Sequence, residues 1–372
     1  QRLLTCILAM LLCYWCFGYG AWLCLALMLA AGIIAHHQKL SALLAVGILL
    51  LPATQYPATT WWSKPDLDRE YVLSLDVEHY FGNIQKMRKH LETDRQILWV
   101  TYYRNLYNAT HPSEINSPVS LSRNLLAWNQ PGTNGLILPV NPSASFLSIL
   151  FANELWFTLG DMTMAEHCAM LSMIFSPRNS GSRMIKRLAE INLVNGDDEA
   201  ALKYLRILDK TLLHKSWAEK RIPGQQTPRV KEWLEKKRRD IPTQDQLRSG
   251  NDAVTSLRNL VASNAGNLRA YEYLLCYHLL SKDLRSFVED YVPGKVSSPI
   301  FAEALLIHLA RQGNIRAEEL IKYQIPVEIA KEFADYTRLY EAKDTSLKEK
   351  YGKTYWFYYH FATTEPGKES KP

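Results

Sequence analysis

Charge is almost absent from the first 62 residues. Arg2 and Lys39 are the formally charged side chains there, although the whole chain holds 43 Lys and Arg and 37 Asp and Glu. A stretch so poor in charge does not make the surface of a water-soluble domain, and apolar runs of this kind read as membrane-spanning segments. Cysteine is also scarce. Four of the six cysteines (Cys6, Cys13, Cys16, Cys24) fall in the same apolar stretch, which leaves Cys168 and Cys276 and excludes a disulfide framework. Alternating, strand-like patterns are few. The motifs that announce chemistry are missing too: there is no G-x-S-x-G, no G-x-x-x-x-G-K, no G-x-G-x-x-G and no H-E-x-x-H. Cys13-Tyr14-Trp15-Cys16 has redox or zinc spacing, but no second pair accompanies it, so packing is the simpler reading.

What is present begins with the apolar stretch. Leu3 to Ala35 as one helix would be about 50 Å long, against a bilayer core of roughly 30 Å. A break at Gly18-Tyr19-Gly20 gives two spans, Leu3–Phe17 and Ala21–Ala35. After the polar His36-His37-Gln38-Lys39, a third apolar run begins at Leu40 and extends to Trp61-Trp62, with Tyr56 and the tryptophans suited to a lipid–water boundary. Residues 1–62 are thus expected to be transmembrane, with two to three spans. Lys39 places the loop between the second and third spans inside, so the part after Trp62 is expected to be extracytoplasmic. His36-His37 diverge on a helix and have no Cys, Asp or Glu beside them, which makes a polar loop the plainer reading than a metal site. A chain beginning at Gln1 also reads as a piece of a longer protein.

The charged remainder is punctuated by glycine followed by Asn or Asp: Gly82-Asn83, Gly160-Asp161, Gly196-Asp197, Gly250-Asn251, Gly266-Asn267 and Gly313-Asn314. Glycine suits the left-handed position that ends a helix, and Asn or Asp accepts the N–H groups that begin the next. Lys282-Asp283 resembles the same joint without glycine. Between joints, Ala201, Leu205, Leu208 and Leu212 line one helical face, as do Tyr271, Leu274, Leu275 and His278, and Phe301, Leu305, His308 and Leu309. The fold class predicted is all-α: N-terminal transmembrane helices followed by an array of helical hairpins. Residues 63–143 read as a helical linker with first hairpins and an irregular connection over Val119–Val140. Residues 144–361 read as the array and 362–372 as a disordered tail. Trp156-Phe157-Thr158-Leu159-Gly160 matches the W-x-x-L-G opening of the tetratricopeptide repeat, although Ser172 and Pro177 depart from the rest of that pattern.

Four segments carry a more specific likeness: Ala270–Leu280 (AYEYLLCYHLL), Phe301–Leu306 (FAEALL), Thr354–Phe361 (TYWFYYHF) and Leu205–Trp217 (LRILDKTLLHKSW). Together they resemble an uncharacterised family of bacterial multi-pass membrane proteins, catalogued as a domain of unknown function. The resemblance covers most of residues 65–361. It implies many N-terminal spans, of which those here are the last, a bacterial inner-membrane location and a tetratricopeptide-like C-terminal half. It brings no catalytic residues.

No residue of this chain is assigned a catalytic, cofactor-binding or metal-binding role. Glu166-His167-Cys168 points in three directions on a helix. His278 and His308 read as core histidines. The basic run Arg229–Asp240 (RVKEWLEKKRRD) places Val230, Trp233 and Leu234 at helical spacing, an amphipathic helix with a solvated basic face. It has no nucleic-acid reading motif, and anionic lipid is its alternative contact. The aromatic run Tyr355–Phe361 is expected to close the end of the array, with Trp356 buried around Phe333, Tyr336 and Tyr340. Asn108-Ala109-Thr110 is a glycosylation triplet of little weight in a bacterial chain. The expected function is a membrane-anchored, extracytoplasmic scaffold. Its partners would be the lipid bilayer and a protein or peptide in the groove of the array. The alternative is the non-catalytic half of a membrane enzyme handling lipid-linked sugars.

Overall fold

The computed structural model describes residues 66–363, apart from 94, 96, 112–120, 129–131, 141–144, 176–180 and 244–251. The chain divides into two compact units, Gln1–Tyr71 and Val72–Pro372. The packing described below lies within the second.

The helices follow in the order α1 (Leu67–Tyr80), α2 (Ile84–Leu91), α3 (Leu98–Thr110), α4 (Leu125–Trp128, entered through a 3-10 turn at Ser122–Asn124), α5 (Phe146–Leu159), α6 (Met162–Ile174), α7 (Ser182–Asn195), α8 (Asp198–Asp209), α9 (Lys215–Glu219), α10 (Pro228–Arg238), α11 (Ala253–Ser263), α12 (Leu268–Leu280), α13 (Leu284–Asp290), α14 (Pro299–Arg311), α15 (Ala317–Lys322), α16 (Val327–Glu341), α17 (Leu347–Tyr351) and α18 (Tyr355–Phe361). No strand occurs among the described residues. α4 lies inside the stretch expected to be an irregular connection.

The all-α expectation holds, and its membrane component is corrected. No described helix is long and apolar enough to cross a membrane. The longest, α16, has 15 residues and carries charges at Glu328, Lys331 and Glu332, where about 20 apolar residues are needed. The spans expected over Leu3–Trp62, and the His36–Lys39 loop between them, lie outside the described residues. So does the Gly250-Asn251 joint.

Three of the other joints show why hairpins form there, whereas Asn83 makes no side-chain capping bond, Gly266 is not left-handed and Asn314 does not cap the helix after it. Gly160 and Gly196 take φ of +91° and +83° and end α5 and α7. Asp161 and Asp197 then cap the next helix, accepting from Met164 N at 2.8 Å and Ala200 N at 2.9 Å. Lys282 adopts φ +60° without being glycine, and Asp283 accepts from Ser286 N at 3.0 Å. The α5–α6 and α7–α8 pairs pack closely, and α6 against α7 links them. Gly160 has a further duty, since a Cβ there would lie 2.2 Å from the Asp240 carbonyl oxygen.

The predicted faces are buried at Ala201, Leu205, Leu208, Tyr271, Leu274, Leu275, His278, Phe301, Leu305 and Leu309. Leu212, 97 % exposed, and His308, half-buried near the end of α14 and not a core histidine, are the exceptions. α8 stops at Asp209, and Thr211 turns the chain by donating its hydroxyl to Leu208 O at 2.7 Å while accepting from His214 N.

The aromatic end is built as expected. Trp356 is fully buried, in ring contact with Phe333, Tyr336 and Tyr351, and its Nε1 donates to Glu303 O at 3.0 Å. Tyr340 stacks on Tyr336 and His360.

Candidate functional site: a cation–aromatic cleft

Helix α7 has two faces. Met184, Leu188 and Ile191 are buried on one. Arg183, Lys186, Arg187 and Glu190 follow one another at spacings of three, one and three, so they share the other. That charged face meets α1 and α5 and is half-buried. Arg183 clamps Asp76 of α1 with both terminal nitrogens (2.6 and 2.8 Å) and also reaches Glu154 Oε1 of α5 at 2.9 Å. Arg187 donates to Glu154 Oε2 at 2.5 Å and pairs with Glu190 at 3.1 Å. Tyr103 of α3 donates its hydroxyl to Asp76 at 2.5 Å.

Asp76 and Glu154 are each only 6 % exposed. Burial raises the pKa of Glu154, yet Arg187 and Arg183 outweigh it and hold the carboxyl well below its ordinary range. Burial lowers Arg183, but Glu154 and Asp76 overcome that and leave it raised. Burial, then Asp76, pushes the Tyr103 hydroxyl up. The network is therefore charged, paired and rigid at neutral pH.

Above it lies a cleft of about 280 Å³ lined by His79, Tyr80, Phe157, Lys186, Trp217 and Trp233, together with the ion network. Its walls are aromatic and its cations lie on them. Arg187 sits 3.8 Å over the Phe157 ring, with Lys237 at 4.7 Å from the same ring. Trp217 has Lys186 at 4.8 Å and Arg221 at 4.0 Å. Lys186 also lies 4.8 Å from the Tyr80 ring and donates to the Tyr80 hydroxyl at 2.7 Å. Burial, with repulsion from Arg187 and Arg269, pulls Lys237 down to about 8. The buried Nε atoms of Arg183, Arg187 and Arg221 have no acceptor.

Among the described residues no serine, threonine or cysteine lines the cleft, and its buried acids are paired with guanidinium groups. Lys186 and Arg221 are held by aromatic faces, with no carboxylate ion pair to either among the described residues.

The residues singled out in the sequence are dispersed. His278 is buried and paired with Asp290 at 2.8 Å, while His308 bonds Gln312 at 3.0 Å, so the two do not share a site. Cys168 and Cys276 are buried and form no disulfide. Among the described residues no group of three or more His, Cys, Asp and Glu could hold a metal. Asn108-Ala109-Thr110 ends α3. The basic helix α10 is only partly solvated. Val230 and Leu234 are buried, Trp233 stacks at 6.3 Å on Phe157, and Arg238 caps α7 by donating to Val194 O and Leu193 O at 3.0 and 2.7 Å. Only α10 of this cleft was marked by the sequence. The R-x-x-K-R-x-x-E spacing in α7, opposite an apolar face, is the signal that points to the rest.

The described residues form an all-α protein of helical hairpins with a cleft walled by aromatic rings and cations. Residues 41–362 match the model of a family of unknown function, DUF6057, and the chain belongs to that family. No curated protein and no solved structure matches it.

Proposed function

We propose that this chain is an interaction scaffold whose cation–aromatic cleft receives an acidic segment of a partner protein. The observation that carries the reading is Trp217, a wall of the cleft whose ring has Lys186 of the lining at 4.8 Å and the neighbouring Arg221 at 4.0 Å, two cations with no carboxylate ion pair among the described residues. An arriving carboxylate gains two charge-assisted contacts, and its apolar neighbours gain the half-buried faces of Trp217 and Trp233. The rigid ion pairs beneath hold Arg183 and Arg187 in place, so little ordering cost falls on binding.

The test is tryptophan fluorescence of the full chain titrated with a peptide carrying consecutive glutamates, and with its lysine counterpart. Only the acidic peptide should bind, more weakly as salt rises. A Lys186→Ala, Arg221→Ala double variant should lose at least about tenfold in affinity, or ~1.4 kcal/mol. Equal response to both peptides, or an unchanged double variant, would remove the cleft from consideration.

A further inference from the structure

The turn between α8 and α9 holds both of its leucines out into solvent: Leu212 is 97 % exposed and Leu213 is 85 % exposed. A single exposed leucine is ordinary on a protein surface. Two in succession on an ordered turn are not, because each leaves most of its apolar area in water. This turn is held from both sides. Thr211 donates its hydroxyl to Leu208 O at 2.7 Å and accepts from His214 N at 3.2 Å, and Lys215 N donates to Thr211 O at 3.2 Å. Behind it Leu205, Leu208 and Ala218 are buried in one cluster. The two leucines are thus presented on a fixed framework.

The charge around this tip is mostly of one sign. Residues 203–215 hold four exposed cations, Lys203, Arg206, Lys210 and Lys215, against one acid, Asp209. Lys203, Ile207 and Lys210 follow at spacings of four and three, so they share one face of α8 and its C-terminal cap, and Ile207 is about half-exposed there. Lys215 pairs with Glu219 at 4.0 Å, but both side chains are mostly in water, where such a pair is weak. An apolar tip flanked by cations matches the boundary of a bilayer containing anionic lipid, where leucine enters the acyl layer and lysine stays among the phosphates. Lysine is depleted at protein–protein interfaces, and a second copy of this turn would set like charges against each other.

We propose that the α8–α9 turn inserts Leu212 and Leu213 into the surface of an anionic lipid bilayer, with Lys210 and Lys215 on the headgroups. This contact uses none of the residues lining the cation–aromatic cleft. It also differs from a lipid contact through α10, whose Val230 and Leu234 are buried within the protein.

The test is fluorescence of the full chain with Cys6, Cys13, Cys16 and Cys24 replaced by alanine and one added cysteine carrying the environment-sensitive dye nitrobenzoxadiazole. The cysteine is Leu213→Cys on the turn or, for comparison, Glu235→Cys on α10. Cys168 and Cys276 are buried and stay unlabelled. A dye on the turn reports the turn, however the rest of the chain meets the vesicle. On vesicles of phosphatidylcholine and phosphatidylglycerol in equal parts, the dye on the turn should shift to the blue and be quenched by doxyl-labelled lipid, while the dye on α10 keeps its aqueous emission. In phosphatidylcholine alone, at high salt, or with Lys210→Ala and Lys215→Ala added, the ratio of immersed to wet dye should fall at least about tenfold. The proposal is overturned if the dye on the turn stays in water on the anionic vesicles, if it is immersed equally in phosphatidylcholine alone, or if the dye on α10 is quenched as strongly. A blue shift that grows with protein concentration in the absence of vesicles would overturn it too, and would assign the turn to a contact between copies of the chain.

Discussion

Two parts of this molecule solve the same problem with opposite materials. Around α1, α3, α5 and α7, helices are joined by buried charge: Asp76 and Glu154 against Arg183 and Arg187. Around α14, α16, α17 and α18 they are joined by rings, with Trp356 against Phe333, Tyr336 and Tyr351. A charged joint is directional and fails badly when one partner is lost, because the survivors are left buried and uncompensated. An aromatic joint depends on area and shape, so it fails in proportion to what is removed. The difference also suits their positions. The charged joint underlies the cleft of the proposed function, where fixed geometry matters, while the aromatic joint covers the apolar face of the last helices.

The largest expected effect breaks the charged joint. Glu154→Ala removes the carboxylate that Arg183 and Arg187 share, leaving Arg183 only Asp76 and Arg187 only Glu190, and should cost about 3–5 kcal/mol, read as a shift in denaturant midpoint of the full chain. Trp356→Ala attacks the aromatic joint and belongs to the range of about 3–5 kcal/mol for a core aromatic. Trp356→Phe, which keeps most of the area, should recover much of that loss, and no comparable partial substitute exists for Glu154. Failure of this asymmetry to appear in the two midpoint series would dissolve the contrast.

Acid and base should separate the two regions next. The folded-state pKa of Glu154 is depressed, so the stability it contributes is present above its unfolded value and is lost as pH falls through the folded one. Burial raises Glu303 to about 7, aided by Glu332 and opposed by the Tyr355 N–H. Its contribution is fully present below the unfolded value and is lost as pH rises through about 7. The loss amounts to roughly 3 kcal/mol at most. Unfolding midpoints measured between about pH 5 and pH 8 should therefore decline in the parent chain and flatten in Glu303→Gln.

The smallest effects concern the joints between helices. Gly196→Ala meets no atoms and should cost only the left-handed penalty of about 1–2 kcal/mol. Gly160→Ala adds a collision with the Asp240 carbonyl, so its melting temperature should fall further than that of Gly196→Ala. Equal shifts would show that the loop bearing Asp240 yields freely.

These joints were also the most legible feature of the sequence. A left-handed residue followed by a capping Asp is local, and Gly160, Gly196 and Lys282 with their aspartates needed no distant partner to be read. The buried position of Trp356 was legible too, because a terminal apolar face requires a cover. The cleft was not. Arg183 meets Asp76 across 107 residues and Glu154 across 29, and nothing in the spacing of α7 says which acids will face it. Leu212 misled for a local reason: its periodicity continues α8, but the Thr211 hydroxyl bond ends the helix first.

The two cysteines inside the array have a practical consequence. Cys168 lies in α6 and Cys276 in α12, both fully shielded, and burial raises the Cys276 thiol well above its ordinary value. A thiol reagent can reach them only when the surrounding helices part. In a chain whose Cys6, Cys13, Cys16 and Cys24 are replaced by alanine, each remaining thiol becomes a clock. Its modification rate counts how often its own stretch of the array opens, and the two rates together would map breathing along the stack without any added label.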